Sequence, residues 1–95
     1  MSDPALRPWT FLSNHGHVLL AVARDPHARV RDIAERVGIT ESSAQQILRD
    51  LVDSGYLDKQ RVGRRNAYTV RHGQPFRHPA ERSRTVDDLI AIFGG

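Results

Sequence analysis

The chain has 95 residues, of which 39% are hydrophobic and 26% are charged, and its formal net charge is +3 at pH 7. This length is enough for one domain with a small core, but not for two domains with separate cores. The absence of cysteine excludes a disulfide scaffold, a cysteine-based zinc site and a thiol nucleophile. No apolar run approaches the roughly 18 residues of a membrane span, and residues 1–7 lack the apolar stretch of a signal peptide, so we expect a cytoplasmic protein with no membrane partner.

The first predicted elements are an N-terminal arm and a helix. Residues 1–12 contain two prolines and are expected to form the arm. A helix is predicted from about Ser13 to Arg24, because apolar side chains recur there at helical spacing. Asp25 and Pro26 end this helix, since a proline disfavours helical geometry in the residue before it.

Two further helices, joined by a turn that contains glycine, are predicted next. Apolar residues at i, i+3, i+4 and i+7 indicate a short helix over residues 30–37, which Gly38 ends in the left-handed conformation. A longer helix over residues 40–54 begins at Thr40, a good N-cap, and ends before Gly55. Its buried stripe is the fullest in the chain and comprises Ala44, Ile47, Leu48, Leu51 and Val52. Two helices connected in this way form a helix-turn-helix.

A hairpin and a short last helix complete the predicted architecture. Residues 57–71 alternate polar with apolar or aromatic side chains around a turn expected at residues 63–66, which indicates a β-hairpin. Thr85 is placed to cap a last helix whose apolar face comprises Val86, Leu89, Ile90 and Phe93. The predicted fold class is mainly α with a small β-hairpin: a winged helix-turn-helix over residues 13–71, followed by a C-terminal extension over residues 72–95.

Three stretches of the chain carry distinctive motifs. Residues 30–40 (VRDIAERVGIT) cover the first helix and turn of the helix-turn-helix, residues 51–57 (LVDSGYL) follow the end of its second helix, and residues 63–68 (GRRNAY) form the wing tip. In this order they resemble the corresponding parts of bacterial transcription regulators of the MarR and ArsR types. The resemblance implies a small DNA-binding regulator. Two features depart from the pattern: the cysteine ligands usual in ArsR-type metal sensors are absent, and the chain lacks the long terminal helices that form the MarR dimer and ligand pocket.

Positive charge is concentrated in the predicted wing. Five cations, with no acid among them, lie within residues 59–71: Lys59, Arg61, Arg64, Arg65 and Arg71. Such a patch is typical of a nucleic-acid binder, although a solvated hairpin without a partner has the same pattern. We expect contacts with the DNA backbone or minor groove from Arg31, Thr40, Ser43, Lys59, Arg61, Arg64 and Arg65.

The second predicted contact surface is the exposed face of the helix over residues 40–54. With Ala44 toward the core, a rotation of about 100° per residue places four side chains on the opposite face, namely Ser42, Gln46, Arg49 and Asp53, with Gln45 at its edge. The residues expected to contact bases are Ser42, Gln45, Gln46 and Arg49. Glutamine can pair with adenine and arginine with guanine, each through two hydrogen bonds, so this face is expected to contact bases in the major groove. Any exposed helix face is polar, and the prediction therefore depends on the adjoining motif and wing.

No catalytic, cofactor or metal site is predicted. His15 and His17 lie about 200° apart around a helix and are not placed to share a metal ion. A histidine site shared between two chains is a less favoured alternative. His15 is expected to be a hydrogen-bonded, partly buried residue of the core. No Ser-His-Asp spacing and no glycine-rich phosphate loop occurs, so we expect neither enzymatic activity nor a cofactor.

These observations together predict sequence-specific binding of double-stranded DNA. One alternative is a winged-helix module for protein–protein interaction, which would not need the basic wing. Another is a ligand-gated repressor, for which a chain this short leaves little volume for a pocket. A homodimer is also expected, because helix-turn-helix proteins usually bind two half-sites. Its predicted contacts are at the two ends of the chain: Trp9, Phe11, Val86, Leu89, Ile90 and Phe93.

Overall fold

A computed structural model describes residues 9–94 of the chain. In that range it has four helices and one antiparallel pair of strands, in the order α1 (Asn14–Arg24), α2 (Val30–Val37), α3 (Glu41–Asp53), β1 (Leu57–Val62), β2 (Arg65–Val70) and α4 (Val86–Phe93). This order confirms the predicted winged helix-turn-helix. Residues 1–8, the larger part of the predicted N-terminal arm, lie outside the described residues.

Local capping interactions define the helix-turn-helix. The Asp32 carboxylate accepts a hydrogen bond from the backbone N–H of Arg29 at 3.2 Å, which stabilises the first turn of α2. Gly38 ends α2 with a φ of 85°, a conformation that glycine adopts without steric cost. Thr40 caps α3, because its Oγ1 accepts a hydrogen bond from the backbone N–H of Ser43 at 3.0 Å. The predicted turn and N-cap are therefore confirmed.

One hydrophobic core joins the three helices of the motif to the hairpin and to α4. Its largest fully buried side chains are Val18, Val22, Ile33, Leu48 and Leu57. Burial of each such side chain stabilises the fold by about 1.5–3 kcal/mol. Val86 of α4 belongs to the same core and is only 3% exposed. Tyr56 donates a hydrogen bond from its hydroxyl to the carbonyl oxygen of Pro75. The C-terminal extension therefore packs directly against the motif.

The hairpin turns through two residues rather than four. Val62 pairs directly with Arg65, so only Gly63 and Arg64 lie between the strands. Gly63 has a φ of 62° and supplies the positive φ that a two-residue hairpin loop requires. The expectation that Asn66 belongs to the turn is wrong, because it lies within β2.

Candidate nucleic-acid interface

The exposed face of α3 is determined by the burial of its opposite face. Ala44, Ile47, Leu48 and Leu51 are buried in the core, as their helical spacing predicts. The remaining side of the helix is exposed and carries the four predicted base-contacting side chains, which we call the reading face: Ser42, Gln45, Gln46 and Arg49. The structure therefore places these four residues on one accessible helix surface.

Hydrogen bonds connect two side chains of the reading face to Asp50 and to α1. We call the four connected residues the polar chain: His15, Asp50, Gln46 and Arg49. Arg49 Nη2 donates a hydrogen bond to Gln46 Oε1 at 2.9 Å. Gln46 Nε2 donates in turn to Asp50 Oδ1 at 3.0 Å. The other carboxylate oxygen of Asp50 lies 2.8 Å from Nε2 of His15 in α1. Both polar ends of the Gln46 amide are thus engaged within the protein.

The polar chain shifts the titration of Asp50. The hydrogen bond with His15 is the largest cause that holds the pKa of Asp50 below its ordinary value, and the bond from Gln46 is the next. The expectation that His15 is a partly buried core residue is wrong, because its side chain is 48% exposed. Its partner lies 35 residues away on another helix, a contact that helical spacing within α1 does not reveal.

The N-terminus of α3 presents a second set of polar atoms. Thr40 Oγ1 caps the helix and also donates a hydrogen bond to Ser43 Oγ at 3.0 Å. The Thr40 hydroxyl therefore holds the start of α3 in place. Ser43 is exposed beside it. The backbone N–H groups of Glu41 and Ser42 have no partner within the helix, because a helix leaves its first N–H groups free.

The cations of the wing are divided between its tip and its two faces. Lys59 pairs directly with Tyr68, so their side chains lie on the same face of the hairpin, and Tyr68 packs against the core. Arg61 lies two residues further along the strand and therefore shares that face. Arg65 lies on the opposite face, and Arg64 occupies the exposed turn. Within the described part of the chain, none of these four cations forms an ion pair with an acid.

Arg71 does not belong to this set of unpaired cations. Its guanidinium forms an ion pair with Asp58 at the base of the hairpin. The hydrogen bond with that carboxylate, together with its charge, holds the pKa of Arg71 above its ordinary value. Four of the five wing cations, rather than all five, therefore lack an acidic partner among residues 9–94. Asp58 lies one residue before the basic stretch at residues 59–71, and the register of the strands brings its carboxylate close to Arg71.

An open groove of about 600 Å³ lies between the start of α1 and the C-terminal extension. Much of its lining is apolar, with contributions from Phe11, Leu19, Leu51, Tyr56, Phe76 and Leu89. His15 and Asp50 of the polar chain also line it. The expectation that the chain leaves little volume for a pocket is therefore wrong, because the extension packs beside α1 and forms the second wall.

Two further observations concern residues 9–94. No three histidine or acidic side chains in this range come together in the way that metal ligands do. None of the helices in this range combines the length and the apolar character of a membrane-crossing segment.

We expect Asp50 to make the free energy of unfolding depend on pH. A carboxyl group whose pKa is lowered on folding stabilises the fold above its unfolded-state pKa, here taken as 3.8. That contribution is lost as the pH falls through the folded-state value. In urea unfolding, the stability difference between the native chain and Asp50→Asn should therefore be constant near neutral pH and change once the pH falls below about 4.

The matched control for this measurement is Asp53→Asn. Asp53 lies on the same helix, and its carboxylate forms no side-chain hydrogen bond or ion pair within the described residues. If the difference between the native chain and Asp50→Asn is the same at pH about 7 and pH about 3, the hydrogen-bonded carboxylate does not stabilise the fold.

Comparison with known proteins bears directly on this arrangement of helix and wing. No curated protein matches the chain. A sequence model described as the MarR family matches residues 10–65, which span α1, α2, α3 and the hairpin as far as the first residue of β2. The match covers more than half of the chain and supports the MarR part of the expected resemblance, while the ArsR-type relation stays a prediction. The chain therefore belongs to the MarR family, whose members are transcription regulators.

Proposed function

We propose that this chain is a bacterial transcription regulator that binds double-stranded DNA at specific sequences. In this proposal α3 lies in the major groove and the wing contacts the phosphate backbone or the minor groove. The observation that carries the proposal is the exposed polar face of α3 next to a hairpin with four cations that have no acidic partner among residues 9–94. Membership of the MarR family supports it. The regulator would act in the cytoplasm, without enzymatic activity and without a cofactor.

Base recognition is assigned to the reading face. An α-helix fits the major groove, where each base pair presents a distinct set of hydrogen-bonding groups. Arg49 has guanidinium donors that suit guanine, and Gln45 has an exposed amide that suits adenine. The Ser42 hydroxyl can donate to or accept from several base edges. The amide of Gln46 already has two partners inside the protein, so Gln46 contacts a base only by exchanging both hydrogen bonds.

Most of the affinity is assigned to contacts with phosphate. Arg64 is exposed at the tip of the wing, and Lys59, Arg61 and Arg65 extend the positive surface along both strands. Arg31 is exposed in the first turn of α2 and adds charge from the motif. At the start of α3, Ser43 and the free backbone N–H groups suit a phosphate oxygen, while Thr40 contributes by holding that helix end in place. Such contacts release counterions and make binding sensitive to salt.

We also propose that the regulator is a two-fold dimer formed through the two ends of the chain. Trp9 and Phe11 are exposed, and their rings meet edge to face with centroids 5.2 Å apart. In α4, Ile92 and Phe93 are exposed as well, whereas Val86 lies in the core of its own chain. Leu89 and Ile90 are partly buried. The proposed interface therefore comprises Trp9, Phe11, Leu89, Ile90, Ile92 and Phe93; of these, the sequence pattern did not single out Ile92.

Replacement of Arg64 and Arg65 by alanine should weaken binding to every DNA sequence. Loss of two phosphate contacts should lower the slope of log affinity against log salt by up to about two. Gel-shift or anisotropy titrations at several salt concentrations measure both quantities. The double variant Arg77→Ala/Arg82→Ala removes the same charge from the extension and is the control. Unchanged affinity and slope in the wing variant would mean that the wing does not contact DNA.

Sedimentation equilibrium of the intact chain at micromolar concentration should give twice the monomer mass. The double variant Phe11→Glu/Ile92→Glu should be monomeric, because it places charge in the apolar interface. It should lose tight binding to a two-half-site operator and keep weak general affinity for DNA. These substitutions are preferable to deletion of residues 85–95, since that deletion would also remove Val86 from the core. An intact chain that sediments as a monomer contradicts the dimer.

A further inference from the structure

We propose that Arg49 recognises a guanine and that Gln46 and Asp50 are positioning residues that hold its guanidinium in place, with His15 as the anchor on α1. This inference rests on the proposed DNA-binding function and assigns specificity within it. It gives Gln46 a different role from the one that its residue type suggests, because a glutamine on a recognition helix is otherwise expected to pair with adenine.

The hydrogen bonds of Gln46 argue against direct adenine recognition. A bidentate contact with adenine uses both the oxygen and the nitrogen of the glutamine amide. In this structure the oxygen accepts from Arg49 at 2.9 Å and the nitrogen donates to Asp50 at 3.0 Å. An adenine contact would have to break both bonds, and each involves a charged group. Charge-assisted hydrogen bonds are stronger than neutral ones, so each of the two bonds opposes such an exchange.

Arg49 keeps the donors that guanine recognition requires. A guanidinium has five N–H groups in a rigid planar fork, and one nitrogen is used for the bond to Gln46. The remaining N–H groups can donate to O6 and N7 of guanine, which are both acceptors in the major groove. Contact with a neighbouring amide also restricts the rotamers of a long side chain before binding, so less conformational freedom is lost when the base is bound.

The orientation of Gln46 follows from the charge of Asp50. An ionised carboxylate only accepts hydrogen bonds, so it must face the nitrogen of the Gln46 amide, and the amide oxygen then faces Arg49. The lowered pKa of Asp50 means that the group is ionised at neutral pH. Asp53, one turn further along α3, makes no side-chain hydrogen bond within the described residues and provides a natural comparison.

His15 connects this arrangement to α1. It lies in the first turns of α1, which buries Val18, Leu19 and Val22 farther along the same helix. Its Nε2 lies 2.8 Å from Asp50 Oδ2, so the carboxylate is held from α1 as well as from α3. The guanidinium of Arg49 is therefore linked through Gln46 and Asp50 to α1 as well as to its own helix.

The test is selection from random-sequence duplexes by the full-length chain, followed by sequencing of the retained DNA. The native chain should select a site with a guanine that Arg49→Ala no longer distinguishes. Asp50→Ala should lower the preference for guanine at that same base pair by about tenfold, within the range that a bidentate base contact provides, and leave other positions unchanged. Asp53→Ala removes the same charge from the same helix and should retain the preference.

Two further comparisons separate positioning from other roles. His15→Ala should reduce the same guanine preference, and the control His17→Ala on the same helix should not. In the free protein, nuclear magnetic relaxation of the Arg49 Nε–H group should show greater mobility in Asp50→Ala than in the native chain or in Asp53→Ala. This second readout requires no DNA, so it reports on positioning alone.

The outcomes distinguish this inference from the proposed function. If the native chain selects a site and the Asp50→Ala and Asp53→Ala variants prefer guanine equally strongly, the positioning role is overturned while DNA binding stands. If Gln46→Ala abolishes an adenine preference and leaves guanine recognition intact, Gln46 contacts a base itself and the inference is wrong. If the native chain selects no sequence at all, the proposed function fails and this inference fails with it.

Discussion

The buried apolar face of α3 is the constraint on which the rest of the structure depends. Ala44, Ile47, Leu48 and Leu51 lie in the core that α3 shares with α1 and α2. Because successive residues turn by about 100° around a helix, this burial determines which side chains α3 can present to a partner. A rotation that exposed Leu48 would bury an arginine or a glutamine without partners, at a cost of several kcal/mol. The composition of the reading face is therefore a consequence of core packing.

The polar chain links α1 to the surface of α3 where DNA is proposed to bind. It begins at His15 on α1, passes through Asp50 and Gln46, and ends at Arg49. The wing is organised differently, since its free cations project from a hairpin that is anchored at Leu57 and half covered at Tyr68. The contrast suits a division of roles in which α3 discriminates between bases and the wing supplies charge. The groove beside α1 adjoins the same region, because His15 and Asp50 also line it.

The parts of the structure that depend on local sequence were predictable, and those that depend on contacts between distant residues were not. Apolar spacing, Gly38 and Thr40 give the limits of α2 and α3 to within about one residue, and the same spacing identifies the exposed side chains of α3. The sequence predicts a turn of four residues where the structure has two, because asparagine is a turn-forming residue type, although Asn66 lies in a strand here. Strand register and helix packing decide such outcomes, and neither can be deduced from a local pattern.

Three features of the site illustrate this limit. The ion pair of Arg71 with Asp58 depends on strand register, and the bond of His15 with Asp50 depends on how α1 packs against α3. The groove depends on the docking of the extension through Val86, which the sequence pattern assigned to a dimer interface instead. Within the sequence, the spacing of Gln46, Arg49 and Asp50 was the one local signal of the polar chain, because residues three and four apart are neighbours on a helix.

The most direct test of DNA binding through α3 and the wing is a nuclear magnetic resonance titration of the isotope-labelled chain with a duplex that it selects. The largest shifts are expected in residues 41–49 of α3 and residues 59–66 of the wing, with smaller changes at His15 through the polar chain. Shifts confined to the exposed ends of the chain, at Trp9, Phe11 and α4, would contradict the assignment of the DNA surface. The absence of any shift with every duplex would contradict DNA binding itself.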